Sequence, residues 1–258
     1  MRIRRTQWRD NPKPVPEGLL VTAIGDVHGC SDHLETMYRA LARDVEELEP
    51  GQTTCILLGD LIDRGPRSLE CLMMAADGLA SLAPDRHVRD VALVGNHDDW
   101  LVRAVAGTLT RHDAMLWVRN GGLATWQDMG IGNPGTVEGL MRELRTRLPD
   151  SVLGLLADMV PVYRIGELVF AHAGVDPRVP YEEQSREALM WIRTPFLEPD
   201  HWPFPFLVVH GHTVEAPVAD PPVRAHRIGI DTGAVISGIL TAVEFWGARL
   251  RFVTVESR

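Results

Sequence analysis

Three short apolar runs each stop at a glycine followed by an acidic or amide residue, and this repetition constrains the chain more than any other feature. Residues 19–25 (LLVTAIG) lead into GDVHG, residues 53–59 (TTCILLG) into GDLIDRGP, and residues 91–95 (VALVG) into GNHD. Runs of this length suit buried strands. Between the first two, Leu34, Met37, Tyr38, Leu41, Val45 and Leu48 recur at helical spacing, and a second helix is predicted over 68–82. Strand, helix, strand, helix, strand implies an α/β fold with a parallel sheet and right-handed crossovers. All three polar motifs then lie on the sheet edge where open α/β sheets bind ligands.

The flanking regions read differently. Residues 1–18 are polar and carry Pro12, Pro14 and Pro16, which predicts an extended N-terminal arm ahead of a single domain over 19–258. Residues 98–158 read as a helical insertion containing Trp100, Trp117, Trp126 and a turn at Asn120-Gly121-Gly122. Strand character returns at 161–171, 206–209, 227–230, 239–245 and 250–255, predicting a second, largely antiparallel sheet. A length of 258 residues with 45% apolar content supports one core and excludes disorder. No apolar run approaches a membrane span, and none follows the basic start, so a cytoplasmic protein is expected. The balance of 26 Lys+Arg against 35 Asp+Glu argues against nucleic acid or membrane as a partner.

The strand-end residues carry the chemistry. Asp26 and His28 are two apart and would share a face in extended backbone. Asp60 and Asn96 end the next two runs, His172 follows another (VFAHAG), and His210 and His212 compete for one further position in VVHGHT. Aspartate and asparagine oxygens with imidazole nitrogens suit manganese, iron or zinc better than calcium or a structural zinc site. Six ligands exceed the needs of one ion, and Asp60, on the middle strand, is the natural bridge of a two-metal centre. The three cysteines show no C-x-x-C spacing, and Cys30 reads as a core or helix-start residue. His33, His87, His112, His201 and His226 read as surface or loop residues.

GDVHG, GDLIDRGP, GNHD, AHAG and GHT, in this order and spacing, resemble the PPP-type metallophosphoesterases, and within them the small bacterial and phage serine/threonine protein phosphatases. The similarity runs from about residue 19 to 255 and includes Asn120-Gly121-Gly122, Trp191-Ile192-Arg193 and IDTGAVISGILT. It implies the calcineurin-like fold, two mixed β-sheets packed as a sandwich flanked by helices. It also implies one metal on Asp26, His28 and Asp60, and a second on Asp60, Asn96, His172 and His212. The family's ligand is the His directly after Gly, which favours His212. Arg64 and Arg193 match the phosphate-binding arginines.

The resemblance further implies two divalent ions, manganese first with iron or zinc as alternatives, and a metal-bridging hydroxide attacking phosphorus in line. Asp63 and His97 match the pair that delivers a proton to the leaving oxygen. A serine/threonine protein phosphatase acting on a phosphoprotein, with no obligate regulatory subunit, is the leading expectation. The alternative is a dinucleotide polyphosphate hydrolase such as diadenosine tetraphosphatase. Bacterial dinucleotide hydrolases tend to carry a non-acidic residue at the position of Asp63, and GHW where this chain has GHT. A binding module on a degenerate scaffold would require lost ligands, and none is missing.

Overall fold

The computed structural model describes residues 1–214 and 220–257. In chain order its elements are β1 (Arg2–Arg5), β2 (Arg9–Asp10), β3 (Leu19–Ile24), α1 (Ser31–Leu48), β4 (Gln52–Leu57), α2 (Ser68–Asp77), β5 (Val88–Ala92), α3 (Asn96–Val105), α4 (Arg111–Arg119), α5 (Leu123–Asp128), α6 (Val137–Arg147) and α7 (Asp150–Asp158). There follow β6 (Val162–Ile165), β7 (Leu168–Ala171), α8 (Arg186–Trp191), β8 (Leu207–His210), β9 (Arg227–Gly229), α9 (Ala234–Ser237), β10 (Ile239–Trp246) and β11 (Arg249–Glu256).

Two mixed sheets face each other. The larger runs β1-β11-β10-β3-β4-β5, with β3, β4 and β5 parallel and the other pairings antiparallel. The smaller runs β6-β7-β8-β9, antiparallel at the first pair and parallel thereafter. Side-chain alternation builds three apolar layers from these strands. Val21 and Ala23 of β3 meet Phe170 and Val209 of the second sheet, with Phe245 and Phe252, in the sandwich core. Leu20 and Ile24 point the other way, onto Leu34, Met37, Leu41 and Val45 of α1. The outer face of the smaller sheet, Val169, Ala171 and Val208, is covered by Leu189, Phe196 and Phe206.

The helix expected over 34–48 buries the predicted stripe and stops where Glu49 turns left-handed (φ 47°), its N–H on the Val45 carbonyl, with Pro50 next. The region expected to be helical holds α3 to α7 in succession. Two expectations need correction. The second sheet is mostly parallel, and β10 and β11 do not belong to it: β10 pairs with β3 in the larger sheet, Ala242 opposite Ile24. Hairpin periodicity marks a strand pair but not the sheet that receives it, which the backbone pairing of β10 with β3 decides. The extended segment 1–18 is also not free of the sheet, since β1 and β2 both pair with β11.

Candidate metal centre

The candidate ligands, and one further carboxylate, follow the C-terminal ends of two parallel trios, β3, β4 and β5 from one sheet and β7, β8 and β9 from the other. Asp26 and His28 follow β3, Asp60 follows β4, and Asn96 opens α3 just beyond β5. His172 directly follows β7, His212 lies just beyond β8, and Asp231 lies just beyond β9. Tight loops join them, with the Val27 and His28 N–H groups both donating to the Asp60 carbonyl (3.1 and 2.9 Å) and Gly211 N–H to the His172 carbonyl (2.8 Å). Among the described non-glycine residues, six have positive φ, and five of them are His28, Asp60, Asp63, Arg64 and His212. Strain of this kind gathers at functional sites. It also corrects the extended-backbone expectation for Asp26 and His28, because His28 sits at φ 46°.

Asp60 is the hub. Its Oδ2 lies 3.5 Å from His28 Nε2 and 4.0 Å from His97 Nε2, and its Oδ1 lies 3.4 Å from His172 Nε2. The ligand atoms of His28, Asp60 and His97 lie within 4.8 Å of one another, as do those of Asp60, His172 and His212. The amide oxygen of Asn96 sits 3.0 Å from His172 Nε2 and 2.8 Å from His212 Nδ1. Both Asp26 carboxylate oxygens accept the His212 N–H. A side chain on Gly211 would overlap Asp26, and one on Gly95 would overlap Asp60, so the motif glycines are required by close approach.

These residues fit a two-metal centre. His28 donates its Nδ1–H to the Ile62 carbonyl (2.8 Å) and His172 donates to that of Leu58 (2.9 Å), which turns each Nε2 toward Asp60. His212 Nε2 is buried and has no hydrogen-bond partner among the described residues. The electrostatics ask for positive charge. Burial, with Asp231 nearby, holds the Asp26 carboxyl well above the usual carboxylate range. Burial alone would lower His172, but Asp60 and Asp26 outweigh it and push the imidazole up to about 10. Burial likewise acts to raise Asp60, and His172, His97 and His28 together bring it well below its ordinary value. Burial takes His28 and His212 down to about 3, leaving neutral imidazoles suited to coordination.

Asp63, His97, Arg64 and Arg193, matched above to a proton-delivery pair and phosphate-binding arginines, lie around the same cluster. His97 donates its Nδ1–H to Asp63 Oδ2 at 2.6 Å, both groups buried. Arg64 spans the mouth, with Nη1 2.6 Å from His28 Nε2 and Nη2 2.9 Å from His97 Nε2. Arg193 is exposed and donates to Thr213 Oγ1 (2.9 Å), beside His212.

The sequence model of the calcineurin-like phosphoesterases matches residues 19–216. The chain belongs to this family. Calcineurin-like phosphoesterases hydrolyse phosphoester bonds, and the chain is a metal-site hydrolase of this kind. Its relatives include the asymmetrical bis(5′-nucleosyl)-tetraphosphatase of Anoxybacillus flavithermus, 28% identical over 88% of this chain and 91% of the relative. Serine/threonine-protein phosphatase 1 of Salmonella typhimurium is 30% identical over 93% and 94%. Among solved structures, a candidate diadenosine tetraphosphatase superposes with a TM-score of 0.60 at 22% identity, covering 97% of this chain and 96% of the other. A cold-active protein-tyrosine phosphatase of a psychrophilic Shewanella gives 0.58 at 15% identity, covering 92% and 80%. At those identities the superpositions show the calcineurin-like fold alone.

The geometry separates the two histidines of VVHGHT, since His212 and not His210 has its ring nitrogens gathered with Asp60 and His172. His210 is fully buried, its ring edge on Phe196 and its Nε2 accepting from Arg227 at 3.2 Å, so it is a core residue. His33 corrects an expectation of exposure: it is buried in α1, with Nε2 3.1 Å from the Gly238 carbonyl and 3.0 Å from Ser257 Oγ. His226 is half-buried and donates to the Phe196 carbonyl. Two carboxylates escaped sequence reasoning. Asp98 accepts the N–H groups of Asp60, Leu61 and Gly95 (2.6, 3.0 and 3.0 Å), and burial with Asp60 nearby takes it up to about 7. Asp231 lies beside Asp26, anchored by the Gly233 N–H. Their signals were the final letter of GNHD and the acid of IDTG.

Proposed function

We propose that this phosphoesterase hydrolyses bis(5′-nucleosyl) tetraphosphates, reversing the order in which the sequence motifs ranked the two substrate classes. The observation that carries the reading is an aromatic platform at the mouth. Trp191 is 41% exposed, its ring 6.0 Å from His212 and 5.7 Å from Trp100. A groove of about 770 Å³ runs from Asn96 along both indoles. An exposed indole beside a phosphate site suits a nucleobase, whose stacking is worth about 1–3 kcal/mol. Relatives named as bis(5′-nucleosyl)-tetraphosphatases that align over most of this chain support the same substrate.

Two divalent ions, manganese first with iron or zinc as alternatives, would be held by Asp26, His28, Asp60, Asn96, His172 and His212, and would supply an acidified water and positive charge at the phosphoryl oxygens. The chain's own groups do the rest. Arg64 and Arg193 bind non-bridging oxygens, and His97, oriented by Asp63, hands a proton from Nε2 to the leaving oxygen. That acid favours a second reading, a serine/threonine protein phosphatase, because a seryl or threonyl alkoxide needs the proton most. The Salmonella phosphatase relative supports it as well.

Metal-loaded protein assayed side by side on diadenosine tetraphosphate, phosphoserine, phosphothreonine and phosphotyrosine peptides and a simple diester separates the two. The expected result is the highest kcat/KM on the dinucleotide, with Trp191→Ala raising its KM roughly tenfold. Faster turnover of a phosphopeptide than of the dinucleotide would replace this reading with the second.

A further inference from the structure

We propose that the helical insertion is part of the acid machinery, with Trp117 of α4 and Thr125 of α5 as positioning residues that aim the Asp63 carboxylate at His97. The inference rests on the reading above, in which the breaking phosphorus–oxygen bond leaves its electron pair on an oxygen that takes the Nε2 proton of His97.

Asp63 lies in the loop after β4, in left-handed backbone (φ 73°), with no exposed surface. A loop of this kind does not by itself fix a carboxylate. The insertion does so from both sides. Trp117 Nε1 donates to Oδ2 at 2.7 Å, and Thr125 Oγ1 donates to Oδ1 at 2.5 Å. The Asp63 N–H is shared between Thr125 Oγ1 and Ser68 Oγ, both at 3.0 Å. An indole N–H can only donate, so the carboxylate must accept from it. Each oxygen is thus held by a donor from the insertion, and Oδ2 keeps one further direction, which His97 Nδ1 takes at 2.6 Å. Pinning Nδ1 turns Nε2 to the mouth, where it accepts from Arg64 Nη2 in this structure and where, once protonated, it would face the leaving oxygen.

The same contact explains Asn120-Gly121-Gly122, which the metal chemistry leaves without a role. At the end of α4 the chain reverses, the Gly122 N–H returning to the Trp117 carbonyl (2.9 Å), and α5 starts at once, bringing Thr125 to the other side of Asp63. A side chain on Gly122 would overlap the Trp117 indole at Cδ1 and Nε1. Gly121, at φ 103°, accepts the Arg64 N–H through its carbonyl (3.3 Å), and a side chain there would press on Arg64. The two glycines therefore let the insertion seat directly on the Asp63-Arg64 loop.

The test is a leaving-group series on the metal-loaded full chain, comparing p-nitrophenyl phosphate with phenyl phosphate for Asp63→Asn, Trp117→Phe, Thr125→Val and Thr125→Ser. Asp63→Asn is expected to lower kcat on phenyl phosphate about 100-fold and on the nitrophenyl ester only a few-fold. Trp117→Phe and Thr125→Val should show the same dependence at about tenfold, while Thr125→Ser, which keeps the hydroxyl, restores it. In an Asp63→Asn background neither should lower the rate further, because both act through that carboxylate. Equal losses on both esters, or losses that add fully to Asp63→Asn, would overturn the inference and leave the Asp63–His97 pair intact. No leaving-group dependence in Asp63→Asn would instead remove the acid itself, and the inference with it. Should Trp117→Phe not fold, the Thr125→Val and Thr125→Ser pair gives the same discrimination.

Discussion

Asp98 shows how much of the centre depends on groups that touch no substrate. One carboxylate gathers the N–H groups of Asp60, Leu61 and Gly95, so it ties the β4 loop to the start of α3. Asp60 and Asn96, which flank that junction, are both ligands in the reading above. Asp98→Asn turns one acceptor oxygen into a donor facing N–H groups, and a tenfold to 100-fold loss of metal affinity is expected. Titration calorimetry with manganese measures it, and unchanged affinity would confine Asp98 to the fold. At His97 the expectation concerns the substrate: His97→Asn should lose about 100-fold or more on alkyl phosphates and far less on esters with good leaving groups. Equal losses on both would remove the acid assignment.

Among the elements, the helix-facing side of the larger sheet carries a buried charge network that the motifs do not announce. Arg5 of β1 donates to Asp44 of α1 at 2.9 Å, Arg251 of β11 reaches Asp44 at 2.9 Å and Glu244 of β10 at 2.5 Å. Burial, then the nearby Asp44 charge, pushes the Glu244 carboxyl up from 4.5 to about 7. The folded state therefore binds this proton more tightly than the unfolded chain. Stability from this group is fully present below about pH 4.5 and falls as pH rises toward 7, by on the order of 1–3 kcal/mol. Glu244→Gln should flatten that part of the profile, read as urea midpoints between pH 5 and 8. A parent profile that rises across this window, or one the variant does not flatten, would contradict the assignment.

At the scale of the molecule, two parallel trios from different sheets end at one cluster of buried carboxylates and imidazoles. Asp26, Asp60 and Asp231 lie together there, so bound cations would stabilise the meeting of the two sheets. Ligand binding to the folded state alone adds about 2.7 kcal/mol at 100 times Kd. Chelation should accordingly lower the melting temperature by several degrees, and added manganese should restore it. A melting temperature indifferent to chelator would mean the centre forms without metal. The formal charge of −9 is compatible with an anionic substrate because the site concentrates its own cationic groups, Arg64 and Arg193, at the mouth. Among the described residues, no helix is long and apolar enough to cross a membrane.

The local chemistry of the strand ends was legible in the sequence because it is written in short range. Glycine, acid and imidazole sit within a few residues of each apolar run, and the parallel order of β3, β4 and β5 needs no distant information. Helical periodicity marked α1 for the same reason. Tertiary structure alone decided which sheet received β10 and β11, since alternation describes a strand's faces and not its neighbour. It also gave the physical reason that His210 and His212 part, where the resemblance had only favoured His212. Two residues apart in a strand they would share a face, and only the left-handed turn at His212 (φ 61°) sends one toward Asn96 and Asp60 while the other packs on Phe196. The grip on Asp63 was equally hidden, because its donors come from 54 and 62 residues away in the chain. Hydrogen bonds of that span carry no local periodicity, and exist only once the insertion has folded back onto the loop.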